Sequence, residues 1–168
     1  LLLEAAWIAA LLPPPVYGAA TAAAAPHPAA AWLVRWLLFR LLFGFGKLKF
    51  VGTSASDKLY VRDFMILQPM PSRVGWYAYA LLPPSFFRLL LSAMWFTEIV
   101  APFCLFLPFD LPCAVAAALF IALQMGIGAH GSFGHFNILT AALCVPLAVP
   151  GACPSLWSDA AGAGGAPA

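Results

Sequence analysis

Long apolar runs separated by short polar or proline-rich breaks dominate the chain, and their lengths predict helices that cross a bilayer. Residues 111–129 form nineteen consecutive positions without a charge. Residues 86–107 and 133–149 are apolar runs of similar length, and residues 29–46 form another that carries two arginines. A span needs about 20 apolar residues at the rise of an α-helix. Residues 5–25 are also apolar, but Pro13, Pro14 and Pro15 interrupt them. Three prolines in a row remove three backbone donors and stop a helix. That segment reads as a possible first span, broken in the middle. No Lys or Arg precedes it, which disfavours a cleaved signal peptide. The predicted fold is all-α: a multi-span transmembrane helical bundle of about four to five helices with one polar loop.

Residues 47–85 are that loop. Lys47, Lys49, Lys58, Arg62 and Arg73 lie in it, with Asp57, Asp63 and a cluster of four prolines. An ordered loop is expected, with a short amphipathic helix around Trp76 and Leu81. Trp76, Tyr77 and Tyr79 fit an aromatic belt at the membrane surface. The excess of Lys and Arg places this loop on the cytoplasmic side by the positive-inside rule. The turn between the last two runs is only five residues, Gly128 to Ser132, so they are expected to be antiparallel neighbours. The domain plan is an N-terminal segment over residues 1–28, a transmembrane domain over 29–150, and a Gly/Ala/Pro tail over 151–168. The chain starts at Leu1 rather than Met and closes on that tail, so a longer parent protein is expected.

Composition strengthens the membrane reading. Hydrophobic residues make up 64% of the 168 positions and charged residues 8%, with a mean hydropathy of +0.94. Soluble domains carry roughly 25% charged residues. The formal charge of +2 and the lack of a basic run argue against a nucleic-acid partner. No cofactor motif and no metal-ligand spacing occurs. Cys104 and Cys144 read as small packing residues, while Cys113 and Cys153 lie near span ends where a disulfide is conceivable.

A few polar residues inside the apolar runs are the candidates for chemistry. Glu98 must be neutral, paired or facing a wet cavity, and Arg88 or Arg40 are its expected partners. The bland alternative is an inter-helix contact that fixes packing. Arg35 and Arg40 are about 140° apart on a helix. Arg35, nearer the end, is expected to snorkel, and Arg40 to face protein or a cavity. Gly44 and Gly46 should loosen the helix ahead of Lys47. Gln124 and Asn137 suit a hydrogen bond between helices. Ala114, Ala118 and Ala122 suggest a close-packing stripe. His130 and His135 flank the tight turn, where backbone-satisfied turn residues are a simpler reading than a metal pair.

Five short pieces, in order, resemble the membrane region of the lipase maturation factor family over residues 32–147. Arg35-Trp36-Leu37-Leu38-Phe39-Arg40, followed by Gly46 and Lys47, resembles the family's helix end, and Gly52 its loop-opening glycine. Gln68-Pro69-Met70-Pro71 with Trp76-Tyr77 resembles its Q-P-(L/M)-P and W-Y element. Glu98 to Pro102-Phe103 resembles its E-to-P-F helix, and Gly131-Ser132 through Asn137 to Thr140 its turn. Two departures stand out. Phe64-Met65-Ile66-Leu67 replaces the H-Y-E-T of animal members, and Ser132 replaces an asparagine.

The resemblance implies a multi-pass protein of the endoplasmic-reticulum membrane that helps secreted lipases fold. Partners would be membrane lipid, secretory lipase clients and folding factors of that compartment, with no catalytic site. The site residues it nominates, for client binding or for structure, are Arg40, Lys47, Gly52, Gln68, Pro69, Pro71, Trp76, Glu98, Pro102, Gly131 and Asn137. A membrane-embedded enzyme or redox-linked subunit, built on a polar cavity at Glu98, His130 and His135, is the alternative. A transporter would need an internal repeat, and none is visible.

Overall fold

The computed structural model describes residues 2–10, 28–52, 57–68, 70–131 and 135–148. All regular elements among them are helical. They are α1 (Leu2–Ala10), α2 (Pro28–Val51), α3 (Tyr60–Leu67), α4 (Arg73–Leu81), α5 (Pro84–Trp95), α6 (Asp110–His130) and α7 (His135–Ala148). A π-helical turn (Phe96–Val100) and a 3₁₀ turn (Ala101–Phe106) continue α5 as one helical rod.

Two described helices are long and apolar enough to cross a membrane: Pro84–Phe106 and Asp110–His130. The apolar helix α7 is shorter, at 14 residues. The tail over 151–168 and the proline triplet lie outside the described residues.

The main core joins α2, the 3₁₀ turn, α6 and α7. Val34, Leu37, Leu38 and Leu42 of α2 meet Ala101 and Leu105, then Ala116, Ala117 and Phe120 of α6, then Cys144 and Leu147 of α7. The α2 positions recur at the three-and-four spacing of one helix face. An aromatic ladder seals the same seam. Phe39 lies 5.2 Å from Phe103 and 5.0 Å from Phe106, ring centre to ring centre, both edge-to-face, a geometry the ring quadrupoles favour. The buried face of α6 is Cys113, Ala116, Ala117, Phe120 and Gln124. The expected alanine stripe is not that face: Ala118 and Ala122 point outward.

The outer surface is apolar too. Leu89, Leu111, Met125 and Ile138 are each at least 65% exposed. A water-facing bundle would not carry such positions on several helices at once.

The polar loop expected over residues 47–85 is mostly helix. Helix α2 runs past Gly44, Gly46, Lys47 and Lys49 to Val51, and α3 and α4 follow. The two glycines do not loosen α2, because packing overrides their low helix propensity. Helix α4 covers the amphipathic helix expected near Trp76, starting three residues earlier. Met65, Ala78 and Phe87 form a second small core that holds α3 and α4 on α5.

Candidate functional site

The site assembles where α5 loses its regular hydrogen bonding. Pro102 has no N–H to give to the carbonyl of Glu98, four residues earlier. The chain responds with a wider turn, in which the Ala101 N–H reaches back five residues to the Phe96 carbonyl. Single π turns of this kind often mark functional positions. Here the turn carries Glu98 into the bundle, 2% exposed, with Pro102 buried behind it.

The partner of Glu98 is neither Arg88 nor Arg40 but Lys49. Lys49 Nζ donates to Glu98 Oε1 at 2.5 Å. Helix geometry explains the choice. Lys49 is three residues beyond Gly46 and shares its face, while Lys47 is turned away and exposed. Gly46 is what lets the two helices approach. A Cβ there would lie 2.7 Å from Glu98 Cβ and 2.9 Å from Ile99 Cγ1. The roles expected of the two α2 arginines are reversed. Arg35 is 2% exposed, with its guanidinium over Trp32 at 4.8 Å. Arg40 is exposed and pairs with Glu4. The heptad-like interior positions of α2 decide this: Arg35 sits beside Val34 and Leu38, and Arg40 falls on the opposite side.

Two cavities flank the Lys49–Glu98 pair. One, of about 440 Å³, has Lys49, Glu98, Gln124 and Asn137 in a largely apolar wall. The other, of about 330 Å³, has Lys49, Thr97, Gln68 and His130 in its wall. The hydrogen bond expected between Gln124 and Asn137 is not made. Glu98 Oε2, Gln124 Oε1 and Asn137 Nδ2 are buried without a hydrogen-bond partner among the described residues. The trio Glu98, His130 and His135 is not brought together. His130 faces the smaller cavity and its Nδ1 bonds the Gly126 carbonyl at 2.7 Å, while His135 is exposed. No cluster of three or more His, Cys, Asp and Glu side chains occurs among the described residues.

A second polar assembly ties α3 and α4 to the end of α6. After α3 the chain turns extended at Gln68 (φ −66°, ψ 152°). Pro71 and Gly131 form an isolated antiparallel bridge. The Ser72 N–H donates to the His130 carbonyl at 3.1 Å, and Ser72 Oγ donates to the Ala129 carbonyl at 2.7 Å. The same Oγ accepts from the Gly75 N–H and caps α4. Gln68 is wedged beside Gly131, where a Cβ would collide with its carboxamide. Neither the nitrogen nor the oxygen of that carboxamide has a partner among the described residues.

The nominated residues therefore fall into three sets. Glu98, Pro102 and Asn137 belong to the interior around the larger cavity. Gln68, Pro71 and Gly131 belong to the α3–α4 clasp, and Pro69 lies outside the described residues. Arg40, Lys47, Gly52 and Trp76 are exposed. Gly52 ends α2, its N–H on the Leu48 carbonyl. Tyr79 leaves the expected aromatic belt to lie under Arg62, 4.3 Å from ring centre to guanidinium. Lys49 and Ser72 were not nominated. The serine ahead of a helical run was a readable cap signal, but nothing local singled out Lys49 over Lys47.

Residues 1–149 match the model of the lipase maturation factor transmembrane domain. The chain belongs to the lipase maturation factor family. Lipase maturation factor 2 of Gallus gallus is 33% identical over 156 residues, 88% of this chain and 21% of that protein. Lipase maturation factor 2 of Xenopus tropicalis is 34% identical over 123 residues, 69% of this chain and 16% of that protein. Lipase maturation factor 1 of Homo sapiens is 34% identical over 110 residues, 65% of this chain and 19% of that protein. The chain thus spans about a fifth of the length of these lipase maturation factors. No solved structure matches it. Membership makes the chain a membrane protein, and its matched region is the family's transmembrane domain.

Proposed function

We propose that this chain is the membrane-embedded part of a multi-pass factor of the endoplasmic reticulum that assists the maturation of secreted lipases. The observation that carries the reading is the match of residues 1–149 to the lipase maturation factor transmembrane domain. The names of the relatives supply the client class, and this chain inherits it as a proposal. The two helices long and apolar enough to cross a membrane, Pro84–Phe106 and Asp110–His130, support a membrane-embedded chain, and the proposal adds α2, α7 and the N-terminal segment to reach four to five crossings. The role is binding and assembly rather than catalysis, with membrane lipid and folding factors of that compartment as the other partners. Within this reading, the Gln68 to Pro71 clasp and exposed Trp76 form a rigid edge that a client segment meets.

The test is deletion of the encoding gene in its host, with re-expression of the full-length protein as control. Secreted lipase activity is measured per unit of lipase protein. The proposal expects a fall of several fold, with unrelated secreted enzymes unchanged. Unchanged lipase specific activity overturns it.

A further inference from the structure

The smaller cavity is a groove to which nothing above gives a use. Three helices face it. Along α6 its wall is Leu119, Ala122, Leu123, Gly126 and Ile127, at the three-and-four spacing of one helix face. Leu90, Ala93 and Met94 of α5 stand across from them, and Val61 and Phe64 of α3 close one side. Helix α6 packs chiefly against the π and 3₁₀ turns, while α3 packs on α5 and α4 on α6. The groove therefore lies between α5 and α6, beside the clasp. Its wall is open to contact: Ala93 and Ala122 are exposed, and Val61, Phe64, Leu123 and Ile127 are half-buried. Of its polar residues, Lys49 is held by Glu98, and His130 by the Gly126 carbonyl. Leu89 and Met125, next to wall positions in the chain, are at least 65% exposed. They belong to the apolar outer surface, so the groove is continuous with the face that meets lipid.

Gly126 shows that the space is kept clear. A Cβ there would meet no atom within 4 Å, whereas at Gly46 and Gly75 it would clash. No close helix contact demands this glycine, and glycine is a poor helix former. With Ala93 and Ala122 it gives the groove its depth. The dimensions select the occupant. From His130, where α6 ends, to Leu119 near its middle, the wall runs about 16 Å. The hydrocarbon core of a bilayer is about 30 Å thick, so the groove spans one leaflet, from surface to midplane. Its volume is about 330 Å³. A helix about 10 Å wide and equally long would fill roughly 1,200 Å³, so a further helix does not fit and an unbranched hydrocarbon chain does. Walls on three sides give that chain more van der Waals partners than the flat side of a helix offers. We propose that the groove between α3, α5 and α6 holds one acyl chain of a bilayer phospholipid, in the leaflet next to the clasp, as a bound lipid distinct from the exchanging shell. The site needs the chain to be in a membrane and does not depend on the lipase reading.

The test uses the full-length protein in phosphatidylcholine nanodiscs, doped with a phosphatidylcholine that carries a diazirine midway along one acyl chain. After illumination, adducts are mapped by peptide mass spectrometry. Phe64, Leu90 and Leu123 are expected to carry adducts several fold more often than Met125 and Ile138, which are exposed on the outer surface. Gly126→Leu fills the groove with a better helix former. It should keep or raise Tm, cut the wall adducts several fold and leave those at Ile138 unchanged. Equal labelling of wall and outer surface is the behaviour of shell lipid alone and overturns the proposal. So do wall adducts that survive Gly126→Leu, and a wall without lipid adducts, as a protein segment in the groove would give. If Gly126→Leu does not fold, Ala122→Phe takes its place, and the comparison of sites within the wild-type protein still decides.

Discussion

Lys49 and Glu98 set the energetics of the interior at the residue scale. A buried pair of this kind contributes little net stability against apolar residues, but breaking it is costly because the survivor is stranded. Lys49→Met should therefore destabilise by about 3–5 kcal/mol. The double change Lys49→Met with Glu98→Leu should recover most of that loss, as read by thermal unfolding in nanodiscs. Equal losses in the single and double variants would show that the pair is not coupled. Gly46→Ala tests the same seam from its backbone side. The added Cβ overlaps Glu98 Cβ, and overpacking typically costs about 1–3 kcal/mol. The sequence announced Glu98 by its chemistry, since a carboxylate within an apolar run demands an explanation. It did not announce the partner. The expected partners were Arg88 and Arg40, and only the helix face that Lys49 shares with Gly46 shows why a lysine takes the place instead. Arg35 and Arg40 misled for a related reason: distance from a helix end was the wrong criterion, and helix face decided.

The elements follow from local rules more closely than the contacts do. The apolar runs became α2, the rod of α5 with its π and 3₁₀ turns, α6 and α7 within a few residues, because length and hydrophobicity are properties of the run itself. Helix α3 escaped notice since its eight residues mix Arg62 and Asp63 with apolar positions, and its stability comes from packing Met65 beside Phe87. Ser72 is the hinge of the clasp. Its hydroxyl both caps α4 and bonds the Ala129 carbonyl. Ser72→Ala should cost about 1–2 kcal/mol and raise protease sensitivity around residues 68–76, whereas Ser72→Thr should retain most of the wild-type protection. Pro102 gives a sharper test of the π turn. Pro102→Ala returns a donor to the Glu98 carbonyl, and the turn can then tighten to an α-helix that rotates the Glu98 side chain away. The coupling between Lys49 and Glu98 in a double-mutant cycle should shrink from the 0.5–3 kcal/mol usual for contacting residues towards zero. Full coupling in the Pro102→Ala background would mean that the π turn does not position Glu98.

For the whole molecule, a lipid-facing bundle with an apolar core and a few buried polar side chains is joined to a short helical clasp by backbone contacts at the end of α6. Composition alone indicated the first part. The clasp was visible only as motifs of unexplained purpose, and its meaning came from the third dimension, where Gln68 and Gly131, far apart in the chain, share one contact. The most direct measurement is made in the gene-deletion host, with the full-length protein re-expressed as wild type or as Gln68→Ala at matched membrane levels. The account predicts that wild type restores secreted lipase specific activity and that Gln68→Ala restores it several fold less, with unrelated secreted enzymes unaffected. Full restoration by Gln68→Ala would contradict the role given to the clasp, and no dependence of lipase activity on the gene at all would contradict the maturation reading itself.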